Sequence, residues 1–303
     1  MSLEKFFHLK ENHTDVKTEI MAGITSFMTM AYILAVNPNI LSASGMDHGA
    51  VFTATAVASF IGTLCMALFA NYPFALAPGM GLNAYFAYTV VLGKGYSWQV
   101  ALAAVLAEGL IFIVLSVFNV REAIFNSIPF NLKKAVSVGI GLFIAFIGLQ
   151  NAKIVIGGAT LVSLFSLDGY NQTLNGLTAS FQDVGITVLL AVVGVIITAI
   201  LVVKNIKGNI LWGILITWAL GIICQFAGLY VPNGDLGFYS LLPDFSNGIS
   251  IPSLAPILGK FSLEGVPILE FIVIVFAFLF VDIFDTIGTL IGVASKADML
   301  DEE

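Results

Sequence analysis

Two aspartates, Asp282 and Asp285, lie inside a long apolar run near the end of the sequence, FVDIFDTIGTLIG. They are three residues apart, so they share one face if the run is a helix. Thr286 and Thr289 follow them at four-residue spacing and extend the polar face. A carboxylate at the centre of a bilayer costs roughly 2.5–3.5 kcal/mol on insertion scales, so the aspartates are expected to face a cavity, a partner or a substrate.

A carboxylate held away from water can accept hydrogen bonds and can also take up a proton. This chemistry suits a planar heterocycle that offers ring N–H and amine donors, together with a coupling ion. The alternative is a structural ion pair, but no lysine or arginine lies deep in any predicted membrane segment. Glu108, in ALAAVLAEGLIFIVL, is a further buried acid. It is expected either to bond a neighbouring helix in its protonated form or to assist a proton path.

The composition places the chain in a membrane. Of its 303 residues, 58% are hydrophobic and only 10% are charged, and the mean hydropathy is +0.99. These values do not fit a soluble domain and predict an all-α polytopic membrane protein. Eight membrane segments are predicted, at residues 18–41, 50–70, 73–93, 98–118, 131–151, 184–203, 209–230 and 267–294.

Several classes of function lack their sequence signals. The sequence contains neither a phosphate-binding GxxxxGK pattern nor a GxSxG nucleophile motif, and no Cys or His cluster has metal-ligand spacing. The 12 Lys and Arg residues are too few for a nucleic-acid surface. The chain is therefore predicted not to be an enzyme and to bind no metal, cofactor or nucleic acid.

The distribution of positive charge predicts the orientation. If the tail at residues 1–17 is cytoplasmic, nine of the 12 Lys and Arg residues fall on the cytoplasmic side. The loops 152–183 and 231–266 then face outward. We therefore expect a multi-pass protein of the cell membrane with a cytoplasmic N-terminus.

The third segment is unusual because Pro73, Pro78, Gly79 and Gly81 lie in its first half. Proline and glycine disfavour a helix there, so residues 72–79 are predicted to be extended and the helix to begin near Met80. Broken segments of this kind line binding sites in transporters, and a proline-kinked structural helix is the equal alternative.

Some polar residues in the first two segments have simpler interpretations. Asn37 and Pro38 are expected to mark the end of the first helix. Thr25, Ser26, Thr29 and Thr53 are expected to bond to the backbone of their own helices.

Three strings together resemble the azaguanine-type purine permeases of the nucleobase–cation symporter superfamily. They are FMTMAYILAVNPNIL (27–41), NYPFALAPGMGLNAYFAY (71–88) and VDIFDTIGTLIG (281–292). The resemblance implies a uracil-permease-like fold of two inverted repeats of seven segments, of which this chain holds segments 1–8. It is therefore expected to be part of a longer permease.

The resemblance also implies a division of the chain. It assigns residues 18–118 to a core domain that would move against a gate domain at 119–230. An extracellular loop at 231–266 would lead to the eighth segment and its cytoplasmic end, at 267–303.

The family's binding residues fall on Asp285 of the eighth segment and on Gly81 and Asn83 of the third. Asp285 would accept hydrogen bonds from the purine, and Asn83 would orient the base or brace the acid. Gly79, Thr286 and Thr289 are expected to complete the binding site. Proton coupling is assigned to three acids: Asp285, Asp282 and Glu108.

The resemblance implies import of purine bases, with hypoxanthine and guanine as the main candidates and adenine as a further one. The coupling ion is expected to be a proton, with sodium as the alternative, and a homodimer is common in the fold. Two other functions stay open at this point: an anion transporter or channel on the same fold, and a non-transporting fragment.

Overall fold

The protein is described here from a computed structural model. The structure describes residues 6–11, 14–118, 127, 129–157, 161–165, 173–174, 177–242 and 250–296. Most of the predicted cytoplasmic loop after residue 118 and the predicted cytoplasmic end after residue 296 lie outside the described residues.

Apolar helices dominate the described chain. They are α1 (Val16–Met30), α2 (Ile33–Ser42), α3 (His48–Cys65), α4 (Met80–Ala84), α5 (Trp98–Val117), α6 (Phe130–Asn151), α7 (Ile186–Val203), α8 (Asn209–Phe226) and α9 (Ile268–Lys296). Wider π-type turns extend α3 over Met66–Ala70 and α4 over Tyr85–Gly93, and another, Phe181–Gly185, leads into α7. A single 3₁₀ turn follows at Gly234–Leu236.

Within the part of the chain that the structure describes, five stretches are long and apolar enough to cross a membrane: Val16–Ser42, His48–Ala70, Trp98–Val117, Phe181–Val203 and Asn209–Phe226. Helices also lie at the predicted segments 131–151 and 267–294. The third segment is without regular structure over 71–79 and helical from Met80, as its prolines and glycines predict. The all-α polytopic class is therefore confirmed.

Two local features differ from the sequence prediction. The first segment is interrupted at Ala31 and Tyr32 and forms two helices instead of one. The predicted loop 152–183 contains two short antiparallel strand pairs, β1 (Val155–Gly157) with β2 (Val162–Leu164) and β3 (Thr173–Leu174) with β4 (Leu177–Thr178). Strands this short fall below the length at which alternation of residue type is informative.

The chain divides into two compact units. The site unit comprises Ile33–Leu68, Leu76–Ala145 and Ile251–Glu303. The second unit comprises Met1–Tyr32, Phe69–Ala75 and Phe146–Ser250.

One buried apolar cluster packs the helices of the site unit against each other. Ala101 of α5 and Ile274 and Phe278 of α9 are each 0% exposed and belong to this cluster. The ring of Phe278 meets that of Tyr85 edge to face, with centroids 5.0 Å apart. This packing holds α9 against the helices that carry the polar residues described below.

Helix α9 is also tied at its start. The Glu270 carboxylate accepts hydrogen bonds from Lys94 Nζ at 3.1 Å and from the Tyr96 hydroxyl at 3.0 Å. The hydrogen bond and charge of Glu270 raise the pKa of Lys94, so the ammonium form is favoured in the fold.

The extended part of the third segment is anchored through Thr63. The Thr63 hydroxyl accepts from the Leu76 N–H at 2.9 Å and donates to the Leu76 carbonyl at 3.2 Å. Gly62 leaves room for Leu76, whose Cβ would lie 3.6 Å from a methyl group placed on the glycine. One hydroxyl therefore satisfies both backbone groups of a residue that has no helical partner, as membrane depth requires.

In the second unit, α7 and α8 pack through glycines that face threonines. A methyl group on Gly213 would overlap the Thr198 hydroxyl, and one on Gly194 would lie 2.5 Å from Thr217 Oγ1. Small residues allow helices to approach closely in membrane proteins.

Candidate functional site

The Asp285 carboxylate lies against the backbone of Gly79, the residue at which α4 begins. A methyl group on Gly79 would overlap Oδ2 of Asp285. The Asp285 side chain is half-buried, and no donor of the described residues bonds to its carboxylate. The eighth predicted segment thus places a carboxylate that accepts no hydrogen bond from the described residues at the point where the third segment changes from extended to helical.

Gly79 is needed for space and not for backbone conformation. Its φ of −72° and ψ of 123° are ordinary for any residue. The Gly79 carbonyl accepts from the Asn83 N–H at 3.3 Å, one helical turn further on. Asp285, Gly79 and Asn83 therefore form one neighbourhood at the start of α4.

Gly81 faces α6. A methyl group on it would lie 3.7 Å from the ring carbon Cε1 of Phe143, which is an ordinary contact. The side of Gly81 that would carry a side chain therefore faces the Phe143 ring. A role of Gly81 in binding stays a prediction.

Asn83 belongs to a chain of side-chain hydrogen bonds that crosses three helices. Its Nδ2 donates to Oδ1 of Asn37 on α2 at 2.5 Å. Nδ2 of Asn37 donates to Thr55 Oγ1 on α3 at 2.7 Å, and that hydroxyl donates to the Val51 carbonyl at 2.7 Å. We call Thr55, Asn37 and Asn83 the amide relay.

The position of Asn37 corrects the sequence interpretation. Asn37 and Pro38 lie inside α2 and not at its end, and Asn37 is only 3% exposed. A buried amide is kept because neighbouring polar groups satisfy it. An asparagine in the middle of an apolar run was the sequence signal for this role.

The two threonines on the face of Asp285 differ. Thr289 donates to the Asp285 carbonyl at 2.7 Å and to the Thr286 carbonyl at 3.3 Å, so its hydroxyl serves its own helix. Thr286 is half-buried and donates to no group of the described chain.

Asp282 points to a different partner. The carboxyl group of Glu108 on α5 lies within hydrogen-bonding reach of that of Asp282. Glu108 is 5% exposed, and no N–H or O–H group of the described residues donates to its Oε1. Two ionised carboxylates are both acceptors, so they bond only when one of them carries a proton. We call Glu108 and Asp282 the carboxyl pair.

The structure therefore separates the predicted residues into two groups. Asp285 lies against Gly79 at the start of α4, one helical turn from Asn83, while Asp282 and Glu108 form the carboxyl pair between α5 and α9. The sequence analysis assigned Asn37 to a helix end and did not single out Thr55.

A family model described as "Permease family" matches residues 17–302. The chain is 46% identical over 302 residues to the putative permease MJ0326 of Methanocaldococcus jannaschii, covering 99% of this chain and 62% of that relative. It is 42% identical over 297 residues to the guanine/hypoxanthine permease PbuO of Bacillus subtilis, covering 97% and 62%. It is 38% identical over 304 residues to the adenine permease AdeP of Escherichia coli, covering 99% and 61%. The chain thus spans 61–62% of the length of these curated relatives.

Proposed function

Since the chain belongs to the Permease family, we propose that it forms the binding site of a secondary transporter that imports purine nucleobases with a proton. The predicted resemblance to purine permeases is confirmed by the family match and by relatives named guanine/hypoxanthine and adenine permeases. These relatives are transporters, which agrees with the prediction of a function other than catalysis.

One observation carries the proposed substrate class. The half-buried carboxylate of Asp285 has no described donor and lies where the third segment becomes helical. A group of this kind needs a ligand that supplies N–H donors, because an unbonded carboxylate away from water is costly. Purine bases offer N–H donors on a flat ring, and hypoxanthine and guanine also carry no charge that would need a counterion.

Asn83 would provide a second contact. Its Nδ2 is engaged by Asn37, while its Oδ1 accepts from no donor of the described residues. Together with Asp285 it would bind adjacent N–H groups of one base. Gly79 and Thr286 would border the base, and Gly81 would support the backbone beneath it.

The carboxyl pair is the proposed element for coupling. The bond between Glu108 and Asp282 requires one proton, and Asp282 lies one helical turn from Asp285. Loss or uptake of that proton would change the charge beside the binding acid. Substrate binding and protonation would thereby influence each other, as linkage requires.

Transport would follow by movement of the core domain (18–118 and 267–303) against the gate domain (119–230). The protein is a multi-pass membrane protein, and the distribution of Lys and Arg supports a cytoplasmic N-terminus in the cell membrane.

The anion alternative is less compatible with the site. A helix start can attract anions, but here Asp285 lies directly against Gly79 at the start of α4. An anion placed there would meet a carboxylate.

Uptake of labelled hypoxanthine tests the proposal, using the longest native reading frame that contains this chain. Competition by guanine, adenine, xanthine and uracil would rank the substrates, and inward proton or sodium gradients would identify the coupling ion. We expect purines to compete and a proton gradient to accelerate uptake. Competition by sulfate or chloride, with none by purines, would refute the proposal.

A further inference from the structure

We propose that Thr55 and Asn37 are positioning residues that hold the Asn83 amide with its carbonyl oxygen available to the ligand. The inference rests on the proposed function, because it concerns how the same site selects its substrate. It states which end of the Asn83 amide, the NH₂ or the carbonyl oxygen, faces the base.

The direction of the amide relay is fixed at its far end. The Val51 carbonyl can only accept, so the single hydroxyl hydrogen of Thr55 must point to it, over 2.7 Å. Thr55 then has only lone pairs left for Asn37. The group of Asn37 that faces Thr55, at 2.7 Å, must therefore be its NH₂.

The same reasoning passes to Asn83. Because the NH₂ of Asn37 is engaged by Thr55, its carbonyl oxygen is the group that faces Asn83, and this oxygen can only accept. Asn83 must therefore turn its own NH₂ toward Asn37. The order of donors and acceptors follows from the chemistry of Val51 and Thr55 alone. It does not depend on which end of the Asn37 or Asn83 amide is taken to be the nitrogen.

Burial prevents water from relaxing this constraint. Asn37 is 3% exposed and Thr55 is 2% exposed, so the NH₂ of Asn37 has no solvent to replace Thr55. Asn83 is only half-buried. Its carbonyl oxygen, which receives no described hydrogen bond, is the part of the relay left for a ligand.

The consequence is a site in which both Asp285 and Asn83 act as acceptors. A ligand atom facing Asn83 must be an N–H donor, and a bare ring nitrogen there would meet the carbonyl oxygen lone pairs. Sites built around one hydrogen-bond pattern reject analogues that lack it. The amide relay would thus determine specificity, although Thr55 and Asn37 do not contact the base.

Binding measurements with deaza analogues test this proposal. Hypoxanthine and its 1-, 7- and 9-deaza analogues are compared in the native protein and in Asn83→Ala, using the longest native reading frame in detergent or nanodiscs. The analogue whose loss of affinity disappears in Asn83→Ala identifies the ring position that faces Asn83. We expect a penalty of about tenfold or more for that analogue in the native protein.

Thr55→Val then removes the hydroxyl with little change in shape. Neither orientation of Asn37 is fully satisfied in that variant, so the amides can reverse. We expect the penalty to fall below about threefold in Thr55→Val and to persist in Thr55→Ser, which restores the hydroxyl. A purely structural role for Thr55 would instead weaken all ligands equally and leave the penalty unchanged, which would overturn the inference.

Asn37→Asp covers the case in which Thr55→Val does not fold. An aspartate at this position still accepts from Asn83, so the penalty should persist, and its loss would contradict the relay. If no analogue shows a penalty that depends on Asn83, the inference is also refuted. If the native protein binds no nucleobase at all, the proposed function fails instead.

Discussion

Gly79→Ala is the substitution whose effect follows most directly from the structure. The backbone at Gly79 has angles that alanine adopts without strain, so the change acts only through the added methyl group. That methyl group would overlap Asp285 Oδ2. The carboxylate must retreat by roughly 1 Å to regain an ordinary van der Waals distance, and a displacement of this size can reduce activity by about a hundredfold.

A hundredfold loss corresponds to about 2.7 kcal/mol of transition-state free energy. We expect initial rates of hypoxanthine uptake in vesicles to fall by this factor in Gly79→Ala, with protein levels in the membrane unchanged. Two matched controls are available. A methyl group on Gly109 or on Gly141 would meet nothing within 4 Å.

Both control variants, Gly109→Ala and Gly141→Ala, should transport within about threefold of the native protein, since neither methyl group displaces a charged side chain. Native rates in Gly79→Ala would refute the placement of the substrate next to Asp285. Equal losses in Gly79→Ala and in either control would show that the loss in Gly79→Ala has a cause other than the Asp285 carboxylate.

Three further predictions concern the carboxyl pair and the packing within each unit. Glu108→Gln should keep hypoxanthine binding within about threefold of native, because the glutamine NH₂ can donate to Asp282, and should abolish acceleration of uptake by an inward proton gradient. Thr63→Val should lower the free energy of unfolding by about 1–3 kcal/mol, because both backbone groups of Leu76 lose their partner, and a melting curve in detergent would detect this. Gly213→Ala should destabilise the protein by about 1–3 kcal/mol through overlap with the threonine of the facing helix, measured in the same way.

Each of these changes has a control. Thr63→Ser keeps the hydroxyl and should melt as the native protein does. Gly141→Ala adds a methyl group that would meet nothing within 4 Å, so it should leave the melting curve unchanged. Proton-stimulated uptake in Glu108→Gln would remove the carboxyl pair from coupling.

The helices and the broken third segment were predictable because the signals are local. Twenty-residue apolar runs predict membrane helices, and Pro73 and Pro78 interrupt one of them within nine residues of its start. The importance of Asp285 was also readable, since a carboxylate in such a run needs a reason to be there.

Hydrogen-bond partners were not predictable because they are distant in sequence. Asn83 and Asn37 are 46 residues apart, so no local pattern connects them. Thr25 and Thr29 donate to carbonyls of their own helix as expected. Thr53 does not, because its hydroxyl donates to the carbonyl of Pro252, 199 residues further along the chain.

The different roles of Asp282 and Asp285 were likewise not predictable from the sequence. Asp282 and Asp285 are close enough in sequence to be assigned one role. The structure brings Glu108 to Asp282 and Gly79 to Asp285. Only the packing of α9 against α5 and the start of α4 distinguishes a paired acid from one that is left for a ligand.

Equilibrium binding of labelled hypoxanthine to the native protein, Asp285→Asn and Asp235→Asn tests the central claim most directly. Asp235 is an exposed acid of the second unit, so its substitution controls for the loss of one negative charge. The account predicts at least a tenfold loss of affinity in Asp285→Asn, since a hydrogen bond to a charged group contributes about 1.5–3 kcal/mol, and native affinity in Asp235→Asn. Native affinity in Asp285→Asn would contradict the claim that this carboxylate binds the base.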